Sequence, residues 1–142
     1  MSGNSNNFVA GGTIPPSRFV IGDTDNDNRV LVATANAEQV VGVSQTGTNK
    51  VPLSDLVTTS YAAVEGEPLK VYGQGDFCLI EAGAATTRFG LLKADSVGRA
   101  VNVATTGATQ QHYGAIGLEA AGAAGQMIRC QVLIGHEYPA LA

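Results

Sequence analysis

Met127-Ile-Arg-Cys-Gln-Val-Leu-Ile134 alternates with a period of two. Ile128, Cys130, Val132 and Ile134 fall on one side of an extended chain and Arg129 and Gln131 on the other, the pattern of a strand half buried against a core. Each buried Ile or Val contributes about 1.5–3 kcal/mol, so a one-residue slip that exchanged them for Arg129 and Gln131 would be costly. The register of this strand is therefore strongly set. Upstream, Leu69–Tyr72 and Phe77–Ile80 flank Gly73-Gln-Gly-Asp76 and read as a hairpin, because glycines supply the positive φ that tight hairpin turns require. Val40–Ser44 is another β-branched run. Arg18–Ile21 and Arg29–Ala33 read as two strands around the polar turn cluster Gly22–Asn28. The segment from Pro52 to Thr59 places Leu53, Leu56 and Val57 at helix-compatible spacing, and its β-branched tail limits any helix to one or two turns. The expected class is all-β.

Two features lie outside the strand pattern. Residues 1–17 carry no charge, a Gly11-Gly12 pair and a Pro15-Pro16 pair. That segment has too little apolar area to offset an ordering cost of about 1–2 kcal/mol per residue, so it is expected as a flexible N-terminal arm, with residues 18–142 forming the β-rich domain. Phe8, Val9, Ile14, Pro15 and Pro16 would be its anchors on a partner subunit or shell, and removing residues 1–17 should leave the β domain folded. The second feature is an internal echo. Val32-Ala-Thr-Ala-Asn-Ala followed by Val41-Gly-Val resembles Val103-Ala-Thr-Thr-Gly-Ala followed by Tyr113-Gly-Ala-Ile. Duplication of an ancestral half and repeated use of one hairpin type both account for it.

The chain has 142 residues, 44% apolar and 6% aromatic, with 8 basic against 12 acidic side chains, two cysteines and no tryptophan. That length supports a core without disulfides. A net charge of −4 without clustered Lys or Arg argues against nucleic-acid binding. No run of about 20 apolar residues exists to span a membrane as a helix, and no secretion signal is expected at the N-terminus. Asp23, Asp25 and Asp27 alternate as carboxylates do in calcium loops, but Asn28 and Thr34 stand where an EF-hand needs glycine and glutamate, and a turn capped by its own side chains is the expectation. Cys78 and Cys130 sit in apolar runs and read as small buried hydrophobes. A disulfide between them requires neighbouring strands and an oxidising compartment. A metal site would need His112 or His136 to converge on both thiols. Nucleophile, base and orienting group cannot be assembled around either histidine. Glu65 and Glu67 lie in a solvated loop, and Gly73-Gln-Gly75 is a turn rather than a phosphate loop. No catalytic, cofactor or metal residues are nominated, and the protein is not expected to be an enzyme. Abundant glycine and alanine favour close backbone approach.

Four blocks stand in a telling order: Glu65-Gly-Glu-Pro-Leu-Lys-Val71, Gly90-Leu-Leu-Lys-Ala-Asp-Ser-Val-Gly-Arg-Ala100, Gly114-Ala-Ile-Gly-Leu-Glu-Ala-Ala-Gly-Ala-Ala-Gly-Gln126 and Val132-Leu-Ile-Gly135. Their succession resembles the small head decoration, or cement, proteins of tailed bacteriophages, over roughly residues 18 to 135. The resemblance implies a barrel or β-tulip-like domain that trimerises on the outer surface of the head after synthesis in the host cytoplasm. It implies the major capsid protein and further copies of the chain as partners, with neighbouring capsomers bridged and no nucleic acid, membrane or cofactor involved. The acidic turn and the polar arm have no counterpart in that pattern. A carbohydrate- or ligand-binding β module on a virion or cell surface is the alternative, although Tyr61, Tyr72, Tyr113 and Tyr138 are too scattered to form an aromatic platform.

Overall fold

The computed structural model of the chain describes residues 6–34, 39–46, 61–104 and 111–137. These residues form ten strands and no helix: β1 Asn6–Ala10, β2 Phe19–Gly22, β3 Arg29–Val32, β4 Val40–Ser44, β5 Pro68–Tyr72, β6 Phe77–Glu81, β7 Leu91–Ala94, β8 Ala100–Asn102, β9 Gln111–Gly117 and β10 Met127–Glu137. The first five close into a barrel in the order β1-β3-β2-β4-β5, and the last five form a sheet in the order β6-β10-β9-β7-β8. The all-β expectation holds, and the barrel with it. The helical spacing at Pro52–Thr59 lies outside the described residues.

The opening strand is as expected. On β10, Ile128, Cys130 and Val132 are buried and Arg129 is exposed. Apolar strands on both sides, β6 and β9, make β10 the centre of its sheet.

Residues 6–17 correct the arm boundary. β1 pairs antiparallel with β5 and parallel with β3, which closes the barrel. Beyond the strand, Ile14 exchanges main-chain hydrogen bonds with Ala62 and Ala63. Ile14 is 0% exposed, within a core that includes Ala10, Val20, Val30, Leu69 and Val71, with Phe8 packed against it. What orders the segment is main-chain pairing along both edges of β1, which small residues such as Ala10 and Gly11 permit and which side-chain hydropathy does not register.

The hairpin expected at 69–80 is also corrected. Both strands exist, but β5 belongs to the barrel and β6 to the second sheet. Asp76 N–H donates to the Gly73 carbonyl at 3.0 Å, and Gly75 has φ 90 while Gln74 stays at negative φ. A single positive φ at the third position is a type II turn, which splays its flanking strands where types I′ and II′ would pair them. The chain therefore leaves one sheet here and enters the other. Val132 fixes the turn by donating to the Asp76 carbonyl and accepting from Gly75 N–H, each at 2.8 Å.

The echo between the halves extends to the whole topology. β3 and β4 flank β2, and β8 and β9 flank β7, so neither echoed segment is a hairpin. Val20 opposes Val32 as Leu92 opposes Asn102, and Gly22 opposes Val30 as Ala94 opposes Ala100. β2 slips against β4 between Val20 and Ile21, and β7 slips against β9 between Leu92 and Lys93. Ser44 faces Val71 as Gly117 faces Cys130. The turns match as well: Asp23 Oδ1 accepts from Asp25 N–H and Asp95 Oδ1 from Val97 N–H, both at 2.9 Å, and a positive-φ residue, Asn28 or Gly98, precedes an arginine, Arg29 or Arg99. Barrel-core residues Ala10, Val20, Leu69 and Val71 have Ala82, Leu92, Ile128 and Cys130 as counterparts in the other core. One hairpin type used twice does not reproduce registers, slips and core positions together. The protein is a tandem repeat of one five-stranded unit.

Candidate functional site

The two units differ at one seam. In the first, Val9 N–H donates to the Asn28 carbonyl at 2.8 Å and closes β1 on β3. In the second, the corresponding Glu81 N–H and Gly98 carbonyl do not meet. Glu81 N–H donates instead to the Ser17 carbonyl at 3.1 Å, and the Gly98 carbonyl accepts from Phe19 N–H at 2.8 Å. The Ser17–Phe19 main chain of the first unit is thus inserted between β6 and β8, leaving the single Ala82–Ala100 bridge and the 2.7 Å bond from Gly83 N–H to the Ala100 carbonyl.

Side chains complete the insertion. Phe19 is 0% exposed and packs with Val40 and Val43 into the core of the second sheet. Gly114 allows that approach, since a Cβ there would lie 2.6 Å from Phe19 Cε1. The Arg18 guanidinium donates to the Val97 carbonyl at 2.9 Å and to Glu81 Oε1 at 3.2 Å. Glu81 Oε2 also stands 3.8 Å from Arg99, which pairs with Asp95 at 3.3 Å. Ser44 Oγ ties the lead-in by donating to the Pro15 carbonyl and accepting from Arg18 N–H. Ser17 is buried with φ 57, and its hydroxyl has no hydrogen-bond partner among the described residues. Nothing in the composition of residues 17–19 announced this role.

The outer face of the second sheet carries exposed apolar surface. Phe77, Leu79 and Glu81 on β6 oppose Gln131, Arg129 and Met127 on β10. Phe77 is 61% exposed, Met127 is exposed at the other end of the ladder, and Phe89, at 63%, projects from the turn before β7. Thr46, Phe77, Cys78, Leu79 and Arg129 line a depression of about 360 Å³.

The residues weighed from sequence fall as follows. Of the expected arm anchors, Ile14 is a core residue, while Phe8, Val9, Pro15 and Pro16 are half-buried along the barrel. Asp23 caps its own turn, accepting from Asp25 N–H and from Asn26 Nδ2 at 3.1 Å, and these two bonds hold its carboxyl below the usual range. Cys78 and Cys130 are direct register partners, with sulfurs 3.6 Å apart. The hydrogen bond to Cys78, with burial behind it, pushes the Cys130 thiol up. His112 and His136 are register partners across β9 and β10. Glu67 Oε1 accepts from Val64 N–H across the loop containing Glu65. Among the described residues, no three His, Cys, Asp or Glu side chains gather in a metal-binding group.

No protein-family model and no curated protein matches the chain. A solved structure does: the N base of the head fiber gp8.5 of bacteriophage phi29, with a TM-score of 0.51 over 90% of this chain and 92% of that one, at 16% identity. The chain therefore shares its fold, nearly from end to end, with a bacteriophage head protein.

Proposed function

We propose that the protein is a virion structural component that decorates a phage head. It sits on the outer surface as a trimer and stabilises the shell by bridging neighbouring capsomers. The observation that carries this reading is the fold shared with the phi29 head fiber N base across almost the whole of both chains. The exposed Phe77, Phe89 and Met127 supply apolar contact surface. The mechanism is shared area rather than chemistry. Stable interfaces bury roughly 1,200–2,000 Å² in total, and three linked copies gain avidity because the second and third contacts form at high effective concentration. The partners are the major capsid protein and further copies of the chain, and no enzymatic activity is involved.

Mass photometry of the purified chain, alone and with empty heads of the phage that encodes it, tests the reading. A trimer that saturates the heads at a fixed copy number supports it. A persistent monomer that ignores heads and binds glycans on an array supports the ligand-module alternative.

A further inference from the structure

We propose that Cys78 and Cys130 are a poised dithiol that closes to an intramolecular disulfide across β6 and β10 when the protein meets a small-molecule disulfide such as oxidised glutathione. The inference is independent of the head-surface reading. Both cysteines are free thiols, 52 residues apart in sequence and directly opposite in the antiparallel ladder. Val132 N–H donates to the Asp76 carbonyl and Ala82 N–H to the Gln126 carbonyl. Counting inward from either end of the ladder makes Cys78–Cys130 a hydrogen-bonded pair. Such pairs hold their Cα atoms about 5.5 Å apart, within the range disulfides occupy. The sulfurs already touch at 3.6 Å, so closure needs side-chain rotation and no strand movement.

Access is asymmetric. Cys78 is half-buried at the edge of the core, whereas Cys130 is 0% exposed. A small-molecule disulfide therefore meets Cys78 before Cys130. The Cys78 thiolate attacks one sulfur of the oxidant, forming a mixed disulfide and releasing one glutathione thiolate. Cys130 then attacks Cys78 Sγ and expels the second glutathione, its proton passing to the departing thiolate. Two protein thiols are oxidised and one small disulfide is reduced to two thiols, a two-electron exchange. The bond staples β6, the strand whose Glu81 meets the inserted Ser17–Phe19 segment, to the central strand of its sheet.

The test incubates the full chain with reduced or oxidised glutathione, then alkylates under denaturing conditions and measures intact and peptide masses. Both thiols should vanish together, with the peptides holding Cys78 and Cys130 linked in a monomer. The unfolding constant should fall by about a thousandfold, as expected for closing a loop of this length. Persistence of two alkylatable thiols, a stable glutathione adduct on the native chain, or crosslinked dimers would overturn the proposal. C130S should stop at one glutathione on Cys78, and native C78S should take none. Modification of Cys130 in native C78S would overturn the order of attack, and the wild-type masses decide the main point should either variant fail to fold.

Discussion

The two units share their strand order and most of their registers, yet the first closes on itself and the second closes around a piece of the first. In the first, β1 is held on both edges, and its interior is filled by its own residues. In the second, the equivalent seam holds Ser17–Phe19, and the core is completed by Phe19, Val40 and Val43 from the neighbouring unit. In a stacked repeat, stability is a sum of unit terms and an interface term. Here the asymmetry makes the interface part of the second unit's core, so the second unit should depend on the first more than the reverse.

Removing residues 1–17 is the harshest way to break that comparison. It takes away β1, Ile14 and the anchored lead-in to the inserted segment, so both units should fail. The loss should be comparable with the whole 5–15 kcal/mol by which domains of this kind are stable. Circular dichroism and urea unfolding of the truncated chain should show no cooperative transition. A truncated chain that unfolds cooperatively at an unchanged midpoint would restore the flexible-arm expectation and remove the role given to Ile14.

Phe19→Ala sharpens the contrast by point substitution. Truncating a fully buried Phe costs about 3–5 kcal/mol, and here the cavity opens in the shared core. The positional counterpart Leu91 is only half-buried on the outer face of the second unit, and Leu91→Ala should cost less than about 2 kcal/mol. Denaturant midpoints of the two variants test the pair, and equal losses would mean that the two outer faces are equally engaged.

Glu81→Gln probes the polar part of the seam. Its carboxylate serves Arg18 and Arg99, with side chains 16–30% exposed. Such pairs contribute about 0.2–1 kcal/mol, so a small loss that shrinks further in high salt is expected.

How much of this was legible in the sequence follows from what each feature rests on. β10 was readable because side-chain alternation and burial are the same fact there. The carriers of the repeat, Asp23 and Asp95, Asn28 and Gly98, and the bulges of β4 and β9, lie in turns and slips. Backbone conformation recurs there even where residue identity changes, as between Asn28 and Gly98. Hydropathy could not find β1, whose order comes from two main-chain ladders, nor the insertion of Ser17–Phe19, because a donor and an acceptor aimed at a seam leave no mark on composition. The splayed turn at Gly73–Asp76 shows the same limit. Its glycines announce a turn, but which glycine takes positive φ decides whether the flanking strands pair or part.

The smallest effect separates the two Asp-capped turns. Asp23 lies at the surface and its carboxyl is held down first by the Asp25 N–H and then by Asn26. A group whose folded pKa is depressed contributes stability above its unfolded pKa and loses it as pH falls through the folded value. Wild-type protein should therefore lose a small increment on acidification through the carboxylate range that Asp23→Asn does not, and the two curves should converge at the acid end. Asp95 accepts from the Val97 and Arg99 N–H groups and adds a contact to the Arg99 side chain, so Asp95→Asn also removes a salt bridge at the seam. Urea midpoints measured for both variants from neutral to acid pH give the comparison. The loss at neutral pH should be larger for Asp95→Asn than for Asp23→Asn, because only the second turn abuts the inserted segment.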